Sequence, residues 1–209
     1  MKLNAKFENK KILIVSAWEP EQHTLKQKFG SNCAVDFLLT GIGSIRSTHK
    51  VTKALMQNQY DLVLFCGTAG AYNSAVPLHS VYACQKVHWS DGGVLLESSY
   101  VPPHQNKTEM IENTLKLQHK IPEATALCLP SITISENLAQ ICSQFATLEH
   151  LELFGLALAC QEVKVPWIGI LSVANIVHPK AHLQWKEHHL IASQQAQEFT
   201  QDFLTQIDF

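Results

Sequence analysis

Two carboxylates and one amide stand where this chain could do chemistry. Glu21 comes a few residues after the apolar run Lys11 to Ala17. Glu152 opens the otherwise apolar stretch LELFGLALAC. Asn175 closes the apolar run VPWIGILSVANIV. A positioned carboxylate can take up or deliver a proton. An asparagine amide offers one donor and one acceptor side by side and has no proton to transfer. Each residue also has a plainer reading: Glu21 as a solvated helix acid, Glu152 as a first-turn acid favoured by the helix dipole, and Asn175 as a strand-end cap. Two glycine segments, TGIGS (Thr40 to Ser44) and CGTAGA (Cys66 to Ala71), each follow an apolar run. Glycine lets such loops turn tightly and present amide hydrogens to oxygen-rich ligands. Neither carries the Lys-Ser/Thr of a phosphate loop or a full dinucleotide fingerprint, so each reads equally well as a structural turn.

These residues must be held by a framework, and the hydrophobic pattern supplies one. KILIVSA, AVDFLLTG and DLVLFCG read as strands. EPEQHTLKQKF, from Glu19, and IRSTHKVTKALMQ read as the helices between them. Such alternation implies parallel strands with crossover helices. HSVYACQKVHW is a further strand. Ser90 to Pro122 is polar and irregular and predicts a long loop with one short helix near Glu109 to Gln118. Leu138, Ile141, Cys142 and Phe145 mark an amphipathic helix. Leu153, Leu156, Ala157 and Cys160 mark another, and Phe199, Phe203 and Ile207 give a C-terminal helix its apolar face. Pro166 to Ala174 is the last central strand. No repeat or linker interrupts the chain, which reads as one domain over residues 1–209.

Composition excludes several classes. The chain has 209 residues, 46% hydrophobic and 16% charged, with a formal charge of −2. No basic run points to nucleic acid or an anionic membrane surface. The apolar runs are too short to span a membrane, and the N-terminal stretch does not make a signal peptide. Six cysteines form no CxxC pair; they read as reduced, which suits a cytoplasmic protein. Of the eleven histidines, His178 and His182 are four apart, but Pro179 follows the first. No Cys or acid completes a zinc spacing, so they read as surface histidines and neither a metal nor a cofactor is expected.

The order of these pieces resembles the nucleoside phosphorylase/nucleosidase superfamily over nearly the whole length. ILIVSAWEPE is similar to its first strand and the turn that carries the water-holding acid. LLTGIGSIRSTHKVTKAL is similar to its second glycine turn and helix. DLVLFCGTAGA is similar to the segment approaching ribose and base, and LEHLELFGLALACQEVKVPWIGILSVAN to the ribose helix and base-reading strand. The resemblance implies a single α/β domain with a central mixed, twisted sheet flanked by helices. It implies a small purine nucleoside as the substrate and a homodimer or higher homo-oligomer. It also implies roles: Glu21 holds and polarises water, and Glu152 accepts hydrogen bonds from ribose hydroxyls. Thr68, Ala69 and Gly70 line sugar and base, Leu151 packs on the ribose, and Asn175 reads the base.

Within the superfamily, LEHLE with Glu149 and Glu152, the segment HWSDGG, and SVANIVHPKAHLQW with Trp185 are similar to futalosine hydrolase, which cleaves a purine nucleoside in menaquinone synthesis. Methylthioadenosine/S-adenosylhomocysteine nucleosidases usually carry aspartate at the position of Asn175. Leu171, Ala174 and His150 depart from both patterns. They keep open a methylthioadenosine-type nucleosidase of altered sequence and a catalytically weak nucleoside-binding relative. An amide suits hypoxanthine or guanine, whose O6 accepts and whose N7 becomes a donor once protonated. The 6-amino group of adenine would face the amide's own donor. Phosphorylases clamp phosphate with arginines near the glycine loops. Here Arg46 is the only arginine beside one, which favours water as the nucleophile.

Overall fold

A computed structural model of the chain describes residues 10–103, 105–113 and 119–206. Its first third follows the expected alternation. Strands β1 (Ile12–Ser16), β2 (Val35–Leu39) and β3 (Leu62–Ala71) lie parallel, joined by helices α1 (His23–Phe29) and α2 (Ser44–Gln57). Period-two alternation sorts their side chains. Leu13, Val15, Val63 and Phe65 pack with Val51 of α2, and Ile12, Ile14, Leu62 and Leu64 pack with Leu25 and Phe29 of α1. Glu19 does not open one continuous helix. Pro20 sits in a single 3₁₀ turn, Glu19–Glu21, and Gln22 leaves helical geometry at φ −132° before α1 begins.

The rest of the chain adds β4 (Val81–Ser90), α3 (Gly92–Leu95), β5 (Thr108–Glu112), β6 (Glu123–Cys128) and α4 (Glu136–Cys142). Then come β7 (Leu148–His150), α5 (Leu153–Val163), β8 (Trp167–Ile176) and α6 (Ala181–Gln206). Residues 108–112 correct the helix expected from Glu109 onward. They pair antiparallel with the edge of β4, and of the five only Ile111 is buried. An inward apolar residue between outward polar ones fits an edge strand better than a helix face. Residues 114–118 and Ile207 lie outside the described residues.

Strand β3 organises the sheet. It runs parallel to β1 and to β8, and its last residues, Gly70 and Ala71, pair antiparallel with β7. Strand β8 pairs antiparallel with β4, β4 runs parallel to β6, and β6 parallel to β7. The path β3–β8–β4–β6–β7 therefore returns to β3, and the mixed sheet closes on itself where β3 ends. Helices α2 and α5 cover one face; α1 and α6 cover the other. Among the described residues, no helix is long and apolar enough to cross a membrane, and no group of three or more His, Cys, Asp or Glu could hold a metal ion. All six cysteines are free, and only Cys33 is exposed.

Candidate active site

Where the sheet closes, Thr68, Ala69 and Gly70 line a cavity of about 300 Å³, and Glu21, Leu151, Glu152 and Asn175 line the same space. All seven residues singled out in the sequence meet here. Asn175 arrives by a bulge. The β3–β8 register passes from Ala69–Val173 to Gly70–Asn175, leaving Ala174 as the extra residue. A bulge re-aims the side chain that follows it. A Cβ on Gly70 would lie 3.0 Å from Asn175 Nδ2 and 3.0 Å from Val177 Cγ2, so only glycine leaves that space open. Asn175 Nδ2 donates to the Ile176 carbonyl at 3.3 Å; among the described residues Oδ1 accepts nothing. The Ile176 N–H donates to Gln184 Oε1 at 2.7 Å, which ties the strand end to α6.

Glu21, the last residue of that 3₁₀ turn, is buried although Glu19 at its start is exposed. Its Oε2 accepts from the Ala17 N–H at 3.1 Å, and Oε1 accepts from the Thr68 N–H at 3.0 Å and the Thr68 hydroxyl at 3.1 Å. Gly67 makes room: a Cβ there would stand 2.8 Å from the Phe65 ring and 3.1 Å from Glu21 Oε1. The turn is pinned from α6, where Gln197 Nε2 donates to the Pro20 carbonyl at 3.0 Å and Oε1 accepts from the Thr24 N–H at 2.8 Å. Burial, reinforced by the nearby Glu152 charge, pushes the Glu21 carboxyl up to about 8.

Glu152 directly precedes α5 but does not cap it. His150 does that work: its Nδ1 accepts from the backbone N–H of Glu152 at 3.1 Å and of Leu153 at 3.0 Å. The His150 proton therefore sits on Nε2, and burial holds the ring neutral by lowering its pKa to about 3. Its 3.4 Å approach to Glu152 Oε2 joins two acceptors and is not an ion pair. Glu152 is left to accept from the Gly43 N–H at 2.7 Å and to face the cavity, with burial raising it to about 7. Gly43 holds φ +97°, a left-handed value that L side chains rarely adopt. The TGIGS loop thus spends this amide on a protein carboxylate.

Leu171 is wholly buried in the core and Ala174 is the bulge residue; of Leu171, Ala174 and His150, only His150 lines the cavity. The cavity also has an aromatic wall that spacing alone did not reveal. Trp18 and Trp185 lie 5.9 Å apart, and His182 and His189 stack on Trp185 at 5.8 and 4.4 Å. His182 is exposed, as a surface histidine should be, yet it borders the cavity. Glu149 and His150, the last two residues of β7, also line it where that strand ends; a three-residue element is too short to show a period.

Raised carboxyls have a thermodynamic consequence. Folded Glu21 keeps its proton to about pH 8, against a reference value of 4.5, so between these values the folded chain binds more protons. Stability must then fall as pH rises through that window, by up to about 1.4 kcal/mol per pH unit. Glu152 and Glu149 act with the same sign up to about 7 and about 6. Glu21→Gln loses an acceptor for the Ala17 N–H at every pH, but its melting point relative to wild type should rise by several degrees between about pH 5 and about pH 8. Thermal melts across that range check this; a wild-type melting point that climbs with pH would refute it.

No protein-family model matches the chain. A 5′-methylthioadenosine/S-adenosylhomocysteine nucleosidase from Tolumonas auensis is 22% identical, over 88% of this chain and 94% of that protein. The solved structure of the nucleosidase of that name from Helicobacter pylori superposes with a TM-score of 0.79 at 16% identity, covering 94% of this chain and 98% of the other. Futalosine hydrolase from Helicobacter pylori gives 0.78 at 15% identity, covering 94% and 97%.

Proposed function

We propose that this chain, which has the fold of the nucleoside phosphorylase/nucleosidase superfamily, is a purine nucleosidase that hydrolyses the N-glycosidic bond of a 5′-modified nucleoside. The observation that carries this reading is the meeting of two electrostatically coupled, buried carboxylates, Glu21 and Glu152, with Asn175 at the bulged end of β8. N-glycosidic cleavage develops positive charge on the sugar and negative charge on the departing base. Glu152 holds the ribose hydroxyls and sets its charge near the developing cation. Glu21, steadied by Thr68 and Ala17, takes a proton from the attacking water. Leu151 packs on the sugar, Thr68 to Gly70 line sugar and base, and Asn175 meets the purine edge. Arg46, the only arginine in the sequence, is exposed and does not line the cavity, which supports water over phosphate as the nucleophile.

Asn175 favours a 6-oxopurine, and futalosine, which releases hypoxanthine in menaquinone synthesis, is the substrate this supports. A second reading, a methylthioadenosine/S-adenosylhomocysteine nucleosidase, is favoured by the Tolumonas auensis relative, which matches along nearly its full length. Free cysteines suit a cytoplasmic enzyme. Ile42 and Ile132, 69% and 49% exposed at the cavity, suit cover by a second copy in a homodimer.

The deciding experiment supplies futalosine, inosine, methylthioadenosine and S-adenosylhomocysteine, each with and without phosphate, and follows free base and sugar. Futalosine should be cleaved fastest, at a phosphate-independent rate, and yield free sugar. A sugar 1-phosphate would overturn hydrolysis; faster cleavage of the adenine substrates would select the second reading.

A further inference from the structure

His79 and His188 are 109 residues apart in the chain, and no spacing in the sequence pairs them. The fold does. His79 sits in the connection between β3 and β4, and His188 lies about two turns into α6. His79 Nε2 and His188 Nδ1 are 3.1 Å apart, and the ring N–H of one donates to the other. The ring centroids lie 5.0 Å apart, less than the nitrogen separation plus a ring radius at each end, so the two nitrogens do not point straight at each other. Backbone bonds hold His79 in place. Its N–H donates to the Val173 carbonyl at 2.7 Å, and the Val173 N–H donates to the Ser80 carbonyl at 3.0 Å. The Ser80 hydroxyl donates to the Pro77 carbonyl at 2.6 Å and closes the turn. His79 also holds φ +64°, a left-handed value that a non-glycine residue adopts at a cost. His188 is fixed by its helix. Neither imidazole lines the cavity, and the proposed hydrolysis uses neither.

We infer that His79 and His188 form an open two-imidazole site for a divalent transition metal of the zinc and copper class, which clips α6 to the β3–β4 connection. Bonds of about 2.05 Å to nitrogens 3.1 Å apart enclose an angle of about 100° at the metal, between the octahedral and tetrahedral values. A chelated ion sits off the line between the nitrogens, and the tilted rings already depart from that line. The proton shared between the rings moves to the outer nitrogen of the ring that carries it. Both imidazoles then stay neutral and each offers the ion a lone pair.

Both rings are half-buried, so water completes the coordination from the solvent side. Among the described residues no third His, Cys, Asp or Glu joins the pair, which makes the site exchangeable and not a closed structural centre. Imidazole ligands suit zinc, copper and nickel, whereas magnesium and calcium take oxygen ligands. The pair binds as a chelate: once one imidazole holds the ion, the other meets it at high effective concentration. Helix α6 already holds the end of β8 through Gln184 and carries Trp185 into the cavity wall, so a metal bridge braces the same helix from its other neighbour. The site stands apart from the nucleosidase reading and does not depend on it.

The probes are Zn²⁺, followed calorimetrically and by thermal melts, and Cu²⁺, followed by electron paramagnetic resonance, each added to untagged protein stripped with a chelator. Mg²⁺ is the control ion. His79→Asn removes the imidazole but keeps a residue that tolerates the left-handed backbone. His188→Gln removes the other and keeps a good helix former. His49→Ala, at an exposed histidine on α2, is the control variant. Wild type and His49→Ala should bind Zn²⁺ alike, and His79→Asn and His188→Gln should each bind it about a hundred-fold or more weakly. Saturating Zn²⁺ should raise the melting point of wild type and leave those of the two site variants unmoved. The Cu²⁺ spectrum should show coupling to two nitrogens in wild type and to fewer in each site variant. No zinc binding by wild type, equal zinc affinity in wild type and both site variants, or an equal melting shift with Mg²⁺ overturns the inference.

Discussion

Glu21→Gln should lower kcat/KM by about a hundred-fold to ten-thousand-fold while the fold stays intact. The amide is isosteric and can still accept from the Thr68 N–H that now holds Oε1 at 3.0 Å. It cannot take a proton from water. That proton moves only on the way to the transition state, so the loss should fall on kcat more than on KM. Glu152→Gln should differ. Glu152 holds the ribose in the ground state and opposes the sugar's positive charge in the transition state, so its variant should raise KM and lower kcat together, again about a hundred-fold or more in kcat/KM. The pH profile distinguishes the two further. Glu21 serves as a base only when ionised and is raised to about 8, so wild-type turnover should climb with pH through the neutral range. The residual rate of Glu21→Gln should lack that climb. Steady-state kinetics on variants shown to be folded decide the matter; if both keep near wild-type turnover, the proposed roles are wrong.

Asn175 governs the second large effect, a change of base preference. Before the bond breaks, N7 of either purine is an acceptor, and an amide can turn to suit adenine, with its oxygen on the 6-amino group and its nitrogen on N7. Once N7 takes a proton from solvent water, which the amide cannot itself supply, the match reverses. Hypoxanthine then presents a donor at N7 and an acceptor at O6, which complement the amide. Adenine then presents two donors. Asn175 therefore improves its fit to a 6-oxopurine as the reaction proceeds and loses its fit to adenine, and only the former accelerates the step. The vacant Oδ1 is the acceptor that protonated N7 needs, because Nδ2 already donates to Ile176. A mismatched buried pair costs roughly 1–3 kcal/mol per group, or about ten- to a hundred-fold in kcat/KM. Wild type should favour inosine-type over adenosine-type nucleosides by that factor. Asn175→Asp should shift the preference toward adenine, since a carboxyl can accept from the 6-amino group and share a proton with N7. Asn175→Ala should lose rate on both and most of the discrimination. Faster wild-type cleavage of adenine nucleosides, or an unchanged ratio in Asn175→Asp, would remove Asn175 as the reader.

Much of this architecture was legible in the sequence because its signal is local. The runs ILIVS, VDFLL and LVLFC are strands by composition, and the helical spacing around Leu153 and Cys160 marks α5 as a buried helix. The seven candidate residues that line the cavity could be named because they lie at the ends of such elements, in an order that the resemblance made specific. What stayed hidden depends on pairing between distant segments. Glu109 reads toward a helix until β4 offers it an edge. LEH is a strand only because β6 and the end of β3 flank it, and only that pairing turns Glu149 into the cavity. The bulge at Ala174 exists only in the register between β3 and β8. By itself the sequence determined which residues could carry the chemistry and which local elements hold them, since hydrophobic period and residue type act over a few neighbours. Only the tertiary structure decided how those residues are charged. The raised carboxyls of Glu21 and Glu152 and the neutral His150 arise from burial among segments more than a hundred residues apart, and burial is a property of the closed sheet.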